Sequence, residues 1–293
     1  MAVVLGKSDY LLDATLPLSV LRRCPQPPFD RHGHEFTELV LIVSGSALHE
    51  LNDSKLPVHG GDVFVIQQGD EHEFTQLDQL HLINILCDPD HFRLRFPDLE
   101  SLPGYRALFV LEPGLRQAQP GRPLLQLDPE ALVFASSLIR RIETELKEKQ
   151  PGFHSVATAL FIDLAVFLSR CYSRIPHPQA RELVRISESL SWLEAHALSP
   201  LPLVSLANKA NLSVRHFQRL FKTITGTTPS SYQLSIKLGH AKELLESTNE
   251  HITQIAYSCG FNDSNYFCRT FLKHTGSTPG NWRKAQRELS RKQ

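Results

Sequence analysis

His32, His34 and Glu38 stand at even spacing in RHGHEFTELVLIVSG, and a second turn, GDVFVIQQGDEH, ends on His72. Alternate residues of a β-strand share a face, so the first three predict one polar surface built from two imidazoles and a carboxylate. With His72 added, such a group could hold a divalent transition metal, and a metal held this way could also run oxygenase chemistry. With no metal and no turnover, the same groups could grip a hydroxyl-rich small molecule, which needs several convergent polar partners. A second chemistry-bearing set lies toward the other end: Arg215, Gln218, Arg219 and Lys222, then Ser264, Asn265, Arg269 and Lys273. Arginine pairs in bidentate fashion with guanine, glutamine or asparagine with adenine, and lysine suits phosphates, so these are candidate readers of DNA. The competing reading of each helix face is a merely solvated one.

The second set sits inside an internal repeat. LVSLANKANLSVRHFQRLFKTITGTTPSSY, from Leu203, aligns with ITQIAYSCGFNDSNYFCRTFLKHTGSTPGNW, from Ile252. The offset is 49 before the turn (Leu203 with Ile252, Ala207 with Ala256, Leu212 with Phe261) and 50 after it (Phe217 with Phe267, Arg219 with Arg269, Phe221 with Phe271, Gly226 with Gly276, Pro229 with Pro279). The second turn thus carries one inserted residue. Each copy predicts a short helix with a central alanine, a tight turn, and a second helix opened by a capping residue. That is the layout of a helix-turn-helix, whose second helix enters the major groove. Leu203, Leu206, Leu212, Phe217 and Phe221 supply the core of the first copy; Ile252, Ile255, Ala256, Phe261, Phe267 and Phe271 supply that of the second. Between the copies, Ser230 to Thr248 predicts one helix of about 28 Å at roughly 1.5 Å per residue, close to the ~34 Å of a DNA turn. One chain could then present both readers to successive major grooves.

The histidine set needs strands. From about Arg31 to Leu86, the runs LVLIVSGSALHEL, DVFVIQQGDEHEF and LHLINIL, broken by turn signals such as Gly60-Gly61, predict short strands of a small antiparallel barrel or sandwich. From Asp128 the pattern becomes helical, with an aspartate cap and a proline at the first position, and it ends at Pro151-Gly152. A second helix follows from about Phe153 to Tyr172, with Val156, Leu160, Leu164, Phe167 and Leu168 on one face. That stripe either packs on the barrel or forms a homodimer seam. RIPHPQ, with two prolines, marks a linker. The expected division is an arm and effector-sensing barrel over 1–127, a helical hairpin over 128–175, a linker over 176–180 and an all-α DNA-binding domain over 181–293.

A hydrophobic share of 41% and a charged share of 21% fit a soluble globular chain, and 293 residues suit about two domains. No run approaches the roughly 18 uninterrupted apolar residues of a membrane span, and MAVVLGKSDYLLD lacks a basic segment followed by an apolar run; the expectation is a cytoplasmic protein with no membrane partner. Cys24, Cys87, Cys171, Cys259 and Cys268 are scattered without CxxC pairing, which predicts reduced thiols. The zero net charge hides an asymmetry: from residue 179 onward there are 15 Lys+Arg against 8 Asp+Glu, and before it 16 against 23. A polyanion would bind the basic end, and charge alone does not separate that reading from a solvated surface.

Residues 180 to 290 closely resemble the DNA-binding domain of AraC/XylS regulators, above all in CGFNDSNYFCRTFLKHTGSTPGNWR, Cys259 to Arg283. The resemblance implies base contacts from Arg215, Gln218 and Arg219 in the first reader and from Asn265 and Arg269 in the second; Leu272 stands where the family commonly has a basic residue. In the N-terminal half, the order His, one residue, His, three residues, Glu, six residues, Gly45 resembles the metal motif of the cupin barrel. Gln67 replaces a frequent proline there and Gln76 a frequent asparagine. Within the family, GFNDSNYF and HGHEFTELVLIVSG are most similar to the rhamnose-operon activators. The resemblance implies an α+β protein: a cupin-like antiparallel β-barrel with a helical hairpin, and two helix-turn-helix units. It also implies a homodimeric activator that responds to a sugar-like effector, binds double-stranded promoter DNA and contacts RNA polymerase, without catalysis or an obligatory cofactor. Two rivals stay open, a metal-dependent cupin oxygenase with an appended DNA-binding domain and an effector-independent DNA binder.

Overall fold

Every position from Thr37 to Ile42 is buried, which is why the stretch reads as an almost unbroken apolar run rather than as strict alternation. It belongs to a sheet covered on both faces. The computed structural model describes residues 3–88, 90–92, 96, 98–118 and 121–290. Its first compact unit is Met1–Glu188 and its second is Ser189–Gln293.

The first unit runs through β1 (Val3–Leu5), α1 (Lys7–Tyr10), β2 (Leu18–Arg23), β3 (His32–His34), β4 (Thr37–Leu51), β5 (Ser54–His59), β6 (Asp62–Ile66) and β7 (His72–Cys87). Then come α2 (Asp98–Ser101), α3 (Pro103–Arg106), a π-helix (Ala107–Leu111), α4 (Glu112–Ala118), β8 (Leu125–Gln126), α5 (Pro129–Glu148) and α6 (Phe153–Ser173). The strands form one sheet ordered β1-β3-β7-β4-β6-β8, with β2 also on β7 and β5 also on β4. The α+β class holds, but three expectations are corrected. Among the described residues the sheet path does not close into a barrel, and one pairing, β1 with β3, is parallel. Nor are the central strands short, since β4 has 15 residues and β7 has 16.

Such long strands bend at bulges. The β4–β7 register shifts between Ile42 and Ser44, between Ser44 and Ser46, and between Ser46 and Leu48. The first shift adds a residue on β4; the other two add residues on β7, where Gln79 and Gln76 take left-handed φ of 45° and 50°. Asparagine tolerates that conformation well, which gives a physical reason for its frequency where Gln76 stands. Gly45, at φ 79°, lies so close to β7 that a Cβ there would sit 2.1 Å from the Gln79 carbonyl oxygen. The inward set on β4 therefore changes parity: Val40 and Ile42 before the bulge, Ala47 and Leu51 after it, packed with Val58, Phe64, Ile66, Phe74, Leu80 and Leu82.

The hairpin α5–α6 forms as its caps dictate. The Asp128 side chain accepts from Ala131 N–H, Pro129 opens α5, Lys149 takes the left-handed C-cap and Gly152 follows at φ 89°. By composition α6 is apolar enough to cross a bilayer, with mean hydropathy 1.5 over its window, but His154, Thr158, Asp163 and Arg170 interrupt it. Ala157, Leu160, Phe161, Leu164 and Leu168 are buried. Val156, expected on that stripe, is exposed instead, and Phe167 packs its ring 4.6 Å from Phe134. The proline segment is shorter than expected, since Pro178 opens α7 (Pro178–Ala195) and the boundary between the units falls inside that helix.

One ion pair lies wholly inside the first unit. Glu112 and Arg116, one turn apart on α4, are 1% and 3% exposed. Leu124 N–H donates to Glu112, Arg116 donates to Val65 O of β6, and its guanidinium lies 5.1 Å from the Phe64 ring centre. Removing one partner of a buried pair strands the other, so Arg116→Leu should destabilise the protein by about 3–5 kcal/mol. The double variant Glu112→Leu/Arg116→Leu should lose less than the single one. Chemical denaturation of both variants checks the order.

Candidate nucleic-acid interface and ligand site

The second unit consists of the end of α7, then α8 (Leu203–Lys209), α9 (Val214–Thr225), α10 (Pro229–Ser247), α11 (Ile252–Ser258), α12 (Ser264–Thr275) and α13 (Pro279–Ser290). Helices α8 and α11 end in the same way. Leu212 N–H donates to Ala207 O and Phe261 N–H to Ala256 O, each at 3.0 Å, with Asn211 and Gly260 in left-handed φ of 56° and 73°. This closure satisfies the last carbonyls of the helix and turns the chain sharply. The reader helices are then capped: Ser213 Oγ accepts from His216 N–H at 3.3 Å, and an Asp263 oxygen accepts from Asn265 N–H at 2.8 Å. Since Leu212 leads directly to its cap and Phe261 does not, the inserted residue is Asn262.

Ala207 and Ala256 are fully buried where the paired helices meet, and Phe217, Phe221, Phe267 and Phe271 are fully buried beneath the readers. Arg215, Gln218, Arg219 and Lys222 on α9 are exposed, as are Asn265, Arg269 and Lys273 on α12; Ser264 is half-buried. Leu272 is exposed beside them. The repeat extends one helix beyond the readers. Gln233 donates to Ala197 O and Ser199 O at 2.9 and 2.7 Å, and its repeat partner Arg283 donates to Glu250 O at 2.7 Å. Each ties the helix behind a reader to the chain leading into its own helix-turn-helix. Tyr232 on Phe221 and Trp282 on Phe271 repeat the same relation, with ring centroids 5.6 and 6.0 Å apart. Extending the 50-residue offset past Pro279 is the signal that finds them. Lys237, on α10, donates to Gly260 O at 2.8 Å and lies 5.7 Å from the Phe261 ring centre. Burial lowers its pKa.

The histidine set gathers on the inward face of the sheet, though not from one strand as expected. Strand β3 stops at His34, the chain bends at residues 35–36, and β4 begins at Thr37. The bend brings His34 Nε2 to 3.4 Å from Glu38 Oε2, and His72 Nε2 lies 3.6 Å from the same oxygen. All three residues are buried, with ligand atoms within 4.8 Å of one another. His34 Nδ1 donates to Phe36 O at 2.6 Å, which leaves Nε2 as the lone-pair nitrogen aimed at the carboxyl. His32 stands aside, half-buried, its ring 4.4 Å from that of His72 and its Nδ1 donating to Asp30 O at 2.9 Å. A residue absent from the sequence reading joins instead: His49, fully buried, with Nε2 3.4 Å from His72 Nδ1.

Burial governs the charges. It pushes Glu38 up to about 8, His49 down to about 3, and His34 and His72 below the usual histidine range. At neutral pH the cluster is therefore a protonated carboxyl among neutral imidazoles. Nε2 of His34 and of His72 lack hydrogen-bond partners among the described residues. Two imidazole nitrogens and a carboxylate fit a divalent transition metal, with the bond from His34 to Phe36 O as outer support. Glu38 and His72, but not His34, also line a cavity of about 50 Å³ whose other walls mix Arg23, His32 and Asn84 with the rings of Tyr10 and Phe74.

Residues 17–164 match the AraC-like ligand binding domain family, and residues 206–285 a helix-turn-helix domain family. The HTH-type transcriptional activator RhaR of Klebsiella pneumoniae is 32% identical over 286 residues, covering 97% of this chain and 98% of that protein. The chain belongs to the AraC family. It is a DNA-binding transcription regulator with a ligand-binding domain. RhaR of Escherichia coli K12 is another AraC-family relative, 30% identical over 278 residues and covering 94% and 95% of the two chains. Among solved structures, a regulator with an AraC-type DNA-binding domain from Chromobacterium violaceum is 35% identical, covers 35% of this chain and 91% of that one, and has a TM-score of 0.33.

The two turns of this AraC-family chain differ in what surrounds them. A Cβ at Gly260 would lie 2.1 Å from Leu198 O, and its φ is one that L side chains rarely adopt. Gly260→Ala should therefore lose at least about 2 kcal/mol of stability, while Asn211→Gly should stay within about 0.5 kcal/mol of the parent. Thermal unfolding of the two variants tests the contrast.

Proposed function

We propose that this AraC-family regulator is a transcription activator gated by a sugar-like effector. The observation that carries the reading is the duplicated helix-turn-helix with a matched exposed polar face on each second helix. Arg215, Gln218, Arg219, Asn265 and Arg269 read bases, with Ser264 beside them, and Lys222 and Lys273 hold phosphates. The name of the relatives, transcriptional activator, supports activation over repression. The protein works in the cytoplasm on double-stranded promoter DNA, engages RNA polymerase, and forms a homodimer through the outward face of the hairpin, where Val133 and Val156 are exposed. The effector binds at His32, Glu38 and His72, with His34 behind them; it is not turned over, and the protein is not an enzyme. Occupancy acts by shifting populations of DNA-binding states.

One observation favours a second reading of the same site. His34 and His72 aim unpartnered buried nitrogens at Glu38, so a divalent metal would sit on those three and lend its charge to effector binding. Thermal-shift titration with sugars and sugar acids, rhamnose included, should give, for at least one of them, a saturable phase of stabilisation that Glu38→Gln abolishes, alongside metal analysis of the same sample. Stabilisation without metal supports the first reading, stoichiometric metal the second. No stabilisation by any member sinks the effector reading.

The DNA roles separate by salt. Arg219→Ala or Arg269→Ala should each weaken promoter binding by about 1–3 kcal/mol and relax specificity at one base pair. Lys222→Ala should weaken all sequences alike and flatten the salt slope by about 1. Equal losses on promoter and random DNA from all three variants would refute the assignment.

A further inference from the structure

On the sheet face opposite the histidine cluster, a second cavity of about 350 Å³ opens beneath the π-helix. Thr37, at its floor, precedes Glu38 on β4, so alternation turns the two side chains to opposite faces. Thr37 is 3% exposed, and its hydroxyl has no hydrogen-bond partner among the described residues. A buried hydroxyl left unpaired is unfavourable, and native structures seldom keep one without a reason.

The wall has a specific construction. Gln67 Nε2 donates to Phe109 O at 2.5 Å, a bond from the end of β6 into the π-helix. A π-turn is intrinsically unfavourable, recurs at functional sites and needs such support. Here it holds Phe109 flat against Tyr105, with ring centroids 4.4 Å apart and planes 17° from parallel. Asp90 and Val110 stand exposed and Glu100 half-buried among the remaining lining residues.

These groups share one chemistry. Carboxylates accept hydrogen bonds, the Thr37 hydroxyl can complete one at depth, and a stacked aromatic wall takes an apolar C–H face. From this we infer that the cavity is a second small-molecule site, separate from the histidine cluster, for a monosaccharide-sized ring bearing several hydroxyls. The inference does not depend on where the gating effector binds.

The test is thermal-shift titration of the full chain with pentoses, hexoses, deoxyhexoses and their alditols, on the parent and three variants. Thr37→Val keeps the shape and removes the hydroxyl; Val110→Trp blocks the mouth from an exposed position; Glu38→Gln alters only the other face. For at least one sugar, Thr37→Val should raise the midpoint concentration about five- to tenfold, and Val110→Trp should abolish saturation while Glu38→Gln leaves it in place. A two-phase response, one phase lost in Glu38→Gln and the other in Val110→Trp, supports both sites. A response that moves only with Glu38→Gln, or no stabilisation by any sugar, overturns the second site. The first of those two outcomes leaves the histidine-cluster reading standing; the second removes both, and loss through Thr37→Val and Val110→Trp alone removes only the histidine-cluster reading.

Discussion

The sensing unit depends on how β4 and β7 pair around Gly45. In a regular antiparallel ladder, residues an odd number of positions apart face opposite ways, so Glu38 and His49 could not share a face. The residue added to β4 between Ile42 and Ser44 reverses that parity, and the two added to β7 cancel each other. Glu38, His72 and His49 consequently meet on one side, each within 3.6 Å of a neighbour, inside a face otherwise lined by Val40, Leu51 and Phe74. The close approach at Gly45 leaves no room for a side chain, so this cluster of chemistry rests on a position that has none.

The DNA-binding unit solves a related problem by repetition. Its two copies reuse the same closure, cap, aromatic stack and strap. They diverge where surroundings differ: Asn211 tolerates the left-handed turn, whereas Gly260 is demanded by the Leu198 backbone above it. Apolar and aromatic residues settle the backbone, leaving arginine, glutamine and lysine exposed on the second helix of each copy. Long polar side chains are free to serve recognition only when the core does not need them.

How much of this was legible in sequence follows from the range of the interactions involved. The helix-turn-helix pair was readable almost residue by residue because caps, turns and core all lie within about thirty positions and appear twice. The hairpin was readable from Asp128, Pro129 and Gly152. The histidine cluster was only partly so. His34, Glu38 and His72 stand out in the sequence, but even spacing predicts one continuous strand, and His49 stays silent because a bulge is invisible to a period-two pattern. Closure is not legible either, since alternation marks strands without saying whether the last meets the first. Gln67 and Gln76 depart from the motif in sequence, yet their work, bracing the π-helix and shaping a bulge, shows only in three dimensions.

The contrast in range bears on how the chain comes to be folded. The sheet joins residues as distant along the chain as Leu18 and Cys87, and such non-local pairing is slow because a long loop must close before any contact rewards it. The helix-turn-helix units gain their contacts from near neighbours and should form quickly. During synthesis the slow half emerges first, so it has the whole time of translating the remaining residues in which to search for its register. The order of domains gives the ribosome's pace a role in keeping unpaired strand edges from meeting those of another nascent chain.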